Sequence, residues 1–227
     1  MPCVSCDCPF LAEQVECLLS DKAQSVEFRK GEMLFRQGQS STSLYSLKRG
    51  VVKIFSHNPD GQEQIVGLSR PGSLLVGLQS LYDKRHAYSA AAATPVEACK
   101  IHHRTLLVRL HDQPELSLRI IKALKAQLIH SRALIQVMGH SCAARKIAAF
   151  ILLMTPKSEH GNCRFNLPFS RLEIASLLGL SEETVCRVMA DMKRKGMIYA
   201  PRGNLEIRDW DRILVVAEGR ADRDQVA

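Results

Sequence analysis

The sequence holds no run approaching eighteen uninterrupted apolar residues, so no membrane-spanning helix is expected. Its first residues carry neither a basic stretch nor an apolar core, which predicts a chain without a secretory leader, kept in the cytoplasm where thiols stay reduced. No internal repeat and no low-complexity segment interrupts it. There is no glycine loop of the nucleotide-binding kind and no nucleophile elbow. The adjacent His102 and His103 would point to opposite faces of a strand, which argues against paired catalysis. An enzyme is therefore not expected.

What is present divides into a thiol cluster and three textures. The 227 residues are 46% apolar, enough for one large or two modest domains, and the net charge of +8 favours an anionic partner such as nucleic acid. Cys3, Cys6, Cys8 and Cys17 crowd the N-terminus, and Cys99 stands alone about eighty residues on. Thiolates this close can converge on one metal or iron–sulfur centre, whereas disulfides among them would close loops too short to staple a fold. The same thiols could instead bind zinc, or cycle as a redox switch in which Cys6 and Cys8 pair with Cys17 or Cys99. His57, His86, His102 and His103 are available to a haem or another small ligand. Cys142 and Cys163 read as structural, and Cys17, in an amphipathic stretch, reads more readily as a small core residue than as a ligand.

From about 26 to 110, short apolar runs alternate with glycines at Gly31, Gly38, Gly50, Gly61, Gly67, Gly72 and Gly77. Asp60-Gly61 signals a hairpin and Pro71-Gly72 another turn, so this part predicts a β-barrel or jelly roll. From Glu115 the period lengthens. Ile121, Leu124, Leu128, Ser131, Ile135 and Met138 fall on one stripe of a long helix opened by Pro114, and their spacing is that of a two-stranded coiled coil. Ser131 is the weak point of that seam. Residues 142–154 predict a second helix burying Ile147, Phe150 and Ile151, and Thr155 to Cys163 a loop.

Residues 170–195 carry a helix-turn-helix pattern. Ala175 is small where two helices cross, Gly179 occupies the turn, where a side chain would clash, and Val185 packs back on the first helix. Leu172, Leu177 and Leu180 are expected to fill its core, and Ser181 to cap the second helix, with Glu183 and Thr184 in its first turn. Glu183 and Arg187, one turn apart, can meet base edges: arginine donates twice to guanine, and glutamate accepts from cytosine or orients the arginine. Lys193, Arg194 and Lys195 can reach phosphates. Met197 to Ala200 and Asn204 to Ile207 predict a β-wing turned by Pro201-Arg202-Gly203.

This order of parts resembles the CRP/FNR family of bacterial transcription regulators. The resemblance rests on Lys30-Gly31-Glu32, Leu34-Phe35, Gly38, Leu44-Tyr45, Gly50, Lys53, Asp60-Gly61-Gln62-Glu63-Gln64, Ala148-Ala149-Phe150-Ile151 and the helix-turn-helix. It implies an α+β fold with an N-terminal β-roll (jelly-roll-like), a long dimerisation helix and a C-terminal winged helix-turn-helix. The corresponding limits are 1–20 for a cysteine-rich sensor segment, 21–111 for the β-roll, 112–139 for the dimerisation helix, 140–220 for the DNA-binding domain and 221–227 for a frayed tail. The cyclic-nucleotide branch holds its ligand with a Gly-Glu and an Arg-Ser/Thr pair. Here the stretches read Gly77-Leu78-Gln79-Ser80-Leu81 and Ala87-Tyr88-Ser89-Ala90, without either pair, so cyclic AMP is not an expected ligand.

The oxygen-sensing FNR branch uses N-terminal cysteines and one cysteine after the β-roll, which Cys99 resembles. By that likeness Cys3, Cys6, Cys8 and Cys99 hold a [4Fe–4S] cluster, with Cys17 the rival to Cys8, which follows Cys6 at an unusually short spacing. The resemblance further implies an activator that answers oxygen or nitric oxide, a homodimer on double-stranded DNA with a TGA/TCA-type palindrome, and contact with RNA polymerase through Asn58 to Gln64. Ser131 stands where that branch carries an acidic seam residue, and Cys186 where it often carries serine.

Overall fold

The computed structural model describes residues 24–57, 61, 63–71, 76–155, 162–201 and 203–220. Cys3, Cys6, Cys8, Cys17 and the C-terminal tail lie outside them, as does most of the turn between Asn58 and Gln62. The chain divides between Ile129 and His130 into two compact units.

In the first unit β1 (Gln24–Phe28), β7 (Val96–His102) and β3 (Ser43–Arg49) form one antiparallel sheet in that order. The second has the order β2 (Met33–Phe35), β6 (Ser89–Ala92), β4 (Val52–His57), β5 (Glu63–Ser69), also antiparallel. β4 and β5 are the hairpin that Asp60-Gly61 signals. Alternation along the strands sends Tyr45, Leu47, Val96 and Ala98 inward, where they meet Leu34, Phe35, Val52, Ala90 and Ala92 from the opposite sheet. Gly50 links β3 to β4 at φ +89°, and a Cβ there would run into the Pro95 carbonyl, so no other residue fits this turn.

Residues of the other parity, Leu44 and Ile101, leave the roll on its outer face. They pack with Leu106 of α1 (His103–Asp112) and with Leu116 and Ala123 of α2 (Pro114–Met138). Leu44, Leu106 and Leu116 are at most 1% exposed, and each such leucine contributes about 1.5–3 kcal/mol. Helix α2 opens on Pro114, whose missing N–H costs nothing in a first turn. The apolar stripe expected to form a seam is exposed: Ile121, Leu124, Leu128, Ile135 and Met138 are between 39% and 66% exposed.

The second unit contains α3 (Ala143–Met154), α4 (Arg171–Leu178), α5 (Glu182–Arg194), α6 (Trp210–Glu218) and a sheet ordered β8 (Arg164–Asn166), β10 (Asn204–Ile207), β9 (Ile198–Tyr199). Ile147, Phe150 and Ile151 are buried as the spacing predicts, and so are Val185, Met189, Leu205 and Ile213 of the same unit.

Several details differ from expectation. Leu172 is 62% exposed, and Ile174 and Leu178, on the inner face of α4, fill the place assigned to it beside Leu177, with Leu180 only half-buried. Gly179 has nothing within 4 Å of a would-be Cβ, so space is not its reason; a φ of +62° is. Cys142 is exposed rather than structural, whereas Cys163 is buried. His102 ends β7 and His103 begins α1, so the two do not share a strand. His102 Nδ1 lies 3.1 Å from Ser43 Oγ and His103 Nε2 3.4 Å from Ser41 Oγ. Helices α1 and α6 and strand β8 were not anticipated.

His86 is 5% exposed and stacks on Phe35 at 3.8 Å between centroids. Its Nδ1 has no hydrogen-bond partner among the described residues. Burial first, and the nearby His103 second, push its pKa below the ordinary value. The unfolded chain therefore takes up this proton at a higher pH than the folded one. The associated stability is complete above about pH 6.5 and is lost as pH falls from there through the folded value. The expected outcome is a thermal midpoint that drops between about pH 7 and pH 5.5, and drops less in His86→Phe. Equal pH slopes for the two proteins would contradict it.

Candidate nucleic-acid interface

Helix α4 begins in a capping box. Ser170 Oγ accepts from the Glu173 N–H at 3.1 Å, and Glu173 Oε2 accepts from the Ser170 N–H at 2.9 Å. At its other end the Lys146 ammonium donates to the Leu178 carbonyl at 3.2 Å. Ala175 and Val185, 2% and 0% exposed, let α4 and α5 cross closely. Arg171, half-buried, adds a second tie by donating to Met189 Sδ at 2.5 Å; burial lowers its pKa, with Cys186 acting in the opposite direction.

Helix α5 is amphipathic. Val185, Met189 and Met192, at i, i+4 and i+7, are buried; Glu182, Glu183, Cys186, Arg187, Lys193 and Arg194 form the exposed arc. Ser181 caps it, its Oγ 3.2 Å from the Thr184 N–H and 2.8 Å from Thr184 Oγ1. Both hydroxyls are thus engaged with each other, while Glu183 and Arg187 project from the first turns with no partner among the described residues. The Lys193-Arg194-Lys195 triplet splits. Arg194 and Lys195 pair with Asp191 at 2.7 and 3.1 Å, and their hydrogen bonds hold its carboxyl below the ordinary carboxylate value. Lys193 turns away from Asp191 toward the ring of Tyr199.

In the first unit Cys99 lies on β7, 7% exposed. It pairs in register with Ser25 of β1 on one side and Ser46 of β3 on the other. Ile101, two residues on, shares its face of the sheet. Among the described residues no three His, Cys, Asp or Glu side chains come together as a metal site. Of the histidines considered for a haem, His102 and His103 bond to serines, His86 stacks on Phe35, and His57 meets Phe55 edge-on at 5.5 Å.

Residues 25–112 match the cyclic nucleotide-binding domain and residues 145–214 the Crp-like helix-turn-helix domain. The chain is 32% identical over 197 residues to the nitrogen fixation regulation protein FixK of Bradyrhizobium diazoefficiens, spanning 85% of this chain and 81% of that protein. It is 29% identical to the transcriptional activator protein Anr of Pseudomonas protegens, over 86% of this chain and 80% of that one. Against the solved structure of FixK2 from Bradyrhizobium japonicum the TM-score is 0.75, at 22% identity, covering 86% of this chain and 96% of the other.

The αL conformation at Gly179 sets the geometry between α4 and α5. Gly179→Ala should destabilise the protein by about 1–2 kcal/mol, and Gly179→Asn by less, since asparagine tolerates this region. Urea midpoints read both; an alanine variant as stable as wild type would show the turn to be relaxed.

Proposed function

The chain belongs to the CRP/FNR family of transcription regulators, and from that premise we propose that it is an FNR-like, oxygen-responsive regulator, acting in the cytoplasm as a homodimer on a TGA/TCA-type palindrome. Its cofactor is a [4Fe–4S] cluster held by Cys3, Cys6, Cys8 and Cys99, with Cys17 the alternative to Cys8. The observation that carries this reading is the register of β1: the strand that follows the cysteine-rich segment sets Ser25 directly across from Cys99. Cys8 and Cys17 stand sixteen and seven residues before Gln24, separations an extended chain spans in at most about 55 and 25 Å, so chain length allows either thiol to reach β7. Four sulfur donors, three before β1 and one on β7, suit a cubane cluster. When bound, the cluster supplies iron–thiolate bonds labile to oxygen and to nitric oxide.

The protein's own part is transmission. Cys99 and Ile101 share one face of β7, and Ile101 packs with Leu116 and Ala123 of α2. A tie at Cys99 therefore bears on the helix that carries the seam. Ile121, Leu128 and Ile135 recur at seven residues, as do Leu124, Ser131 and Met138, which is the a/d pattern of a parallel pair. With Ser131 in place of an aliphatic residue, the pair is weak, and a bias of a few kcal/mol moves it between states. Pairing sets two α5 helices about 34 Å apart, where Glu183 and Arg187 read bases and Ser181, Thr184, Cys186 and Lys193 line the groove. Activation follows from contact of the Asn58 to Gln64 loop with RNA polymerase.

Protein purified without oxygen should absorb broadly near roughly 400 nm, carry about four iron and four sulfide per chain, and bleach in air. Cys99→Ser should abolish this, as should only one of Cys8→Ser and Cys17→Ser. A colourless protein that cannot be reconstituted overturns the cluster and leaves zinc or a thiol–disulfide switch on the same residues. For the seam, Leu128→Glu should give a monomer in sedimentation, and Ser131→Leu a tighter dimer. An unchanged association constant in both would place the dimer contact elsewhere.

A further inference from the structure

The wing presents a second basic site that the helix-turn-helix does not account for. Tyr199, on β9, is 39% exposed. Strand pairing sets it opposite Glu206 of β10, and Arg208, two residues further, returns to the same face. The Arg208 guanidinium lies over the Tyr199 ring at 4.7 Å from its centroid, and Lys193 Nζ, from the end of α5, at 5.8 Å. Two cations from different elements thus lie against one aromatic ring, each attracted by the ring quadrupole. Among the described residues Glu206 Oε1 accepts from Arg208 Nε, at 3.3 Å, as an exposed ion pair. That bond fixes the guanidinium plane, and the two terminal nitrogens make no hydrogen bond among the described residues.

We propose that Tyr199, Arg208 and Lys193 form a phosphate clamp that grips the DNA backbone outside the half-site core. The inference rests on the reading of α5 as the recognition helix. Lys193 stands six residues beyond Arg187, about 9 Å along the axis, at the border of the exposed arc. A cation there meets the wall of the groove rather than its floor. Arg208 extends the same line of charge onto the wing, and a forked guanidinium suits a phosphate better than an ammonium does. Arg194 and Lys195 are exposed but paired with Asp191, whereas Lys193 makes no ion pair among the described residues, so it is the member of its triplet left for this use. The tyrosine supplies no charge; it holds two like charges close together in the absence of DNA. These phosphate contacts add affinity without sequence preference.

The test is the salt dependence of binding, by fluorescence anisotropy with the full-length protein on two duplexes. One carries a TGA/TCA palindrome with about one helical turn of flank on each side; the other ends close to the half-sites. On the long duplex Arg208→Ala should reduce the slope of log affinity against log salt by about 0.9 per chain, roughly 2 for a dimer. Tyr199→Ala should reproduce part of this, and Tyr199→Phe, which keeps the ring face, should not. On the short duplex wild type and variants should coincide. All three side chains are exposed, so the variants fold. An Arg208→Ala slope equal to wild type on the long duplex overturns the clamp. A defect that emerges only when RNA polymerase is added overturns it too, and assigns the patch to protein contact. Arg187→Ala serves as the control. If it binds as wild type while the Arg208→Ala slope still falls, the recognition-helix reading fails and the clamp stands.

Discussion

The contact on which the rest of the first unit depends is the burial of Leu116 and Ala123 against Leu44, Ile101 and Leu106. It uses the outer face of a sheet whose inner face is already filled. Strand alternation makes that possible: Leu44 and Leu47 on β3, and Ile101 and Ala98 on β7, differ in parity, so one pair faces the helices and the other the roll. Without this second face, α2 would have nothing to lie on and Cys99 no mechanical neighbour. Truncating a leucine in such a cluster costs about 2–5 kcal/mol, more than a surface charge or hydroxyl contributes. The sheet-to-helix joint is therefore stiff, and the soft element is the exposed side of the same helix.

Much of this was legible in the residues. The change from glycine-punctuated runs to steps of three and four at Glu115 marks where α2 takes over, and the Ala175, Gly179, Val185 spacing locates α4 and α5. The exposed apolar stripe of α2 was legible for the same reason, since helical period survives in any list of apolar positions. What escaped depends on tertiary register. Leu172 looks like a core residue by type, but it lies on the outer side of α4, whose buried face is Ile174, Ala175, Leu177 and Leu178. Tyr199 and Arg208 are nine residues apart and meet only because β9 and β10 pair. Helix α6 is opened by Asp209, whose carboxylate accepts from the Arg212 N–H at 3.0 Å, a signal present in the sequence but masked by the wing before it. Gly179 was placed correctly for the wrong reason: its backbone angle, not its neighbours, excludes a side chain.

The two units use polar groups differently. In the winged unit several cations are tied down: Lys146 on the Leu178 carbonyl at the end of α4, Arg145 on the Ala217 carbonyl at 3.0 Å, Arg194 and Lys195 on Asp191. These bonds leave a short, defined set of groups facing outward on α5 and the wing. In the roll, by contrast, Ser80 Oγ and His86 Nδ1 are buried without partners among the described residues. Each such atom carries a desolvation penalty of about 1–3 kcal/mol. Among the described residues, such unpaired buried side-chain atoms occur in the first unit and not in the second.

The bare stripe on α2 carries a consequence of its own. If two copies pair through it, as proposed, they obey mass action, and for a loosely held pair the number of pairs rises with the square of the number of chains. Promoter occupancy would then respond more steeply than linearly to how much protein the cell makes. Synthesis and dilution at division would become inputs in their own right, acting through that row of isoleucines and leucines.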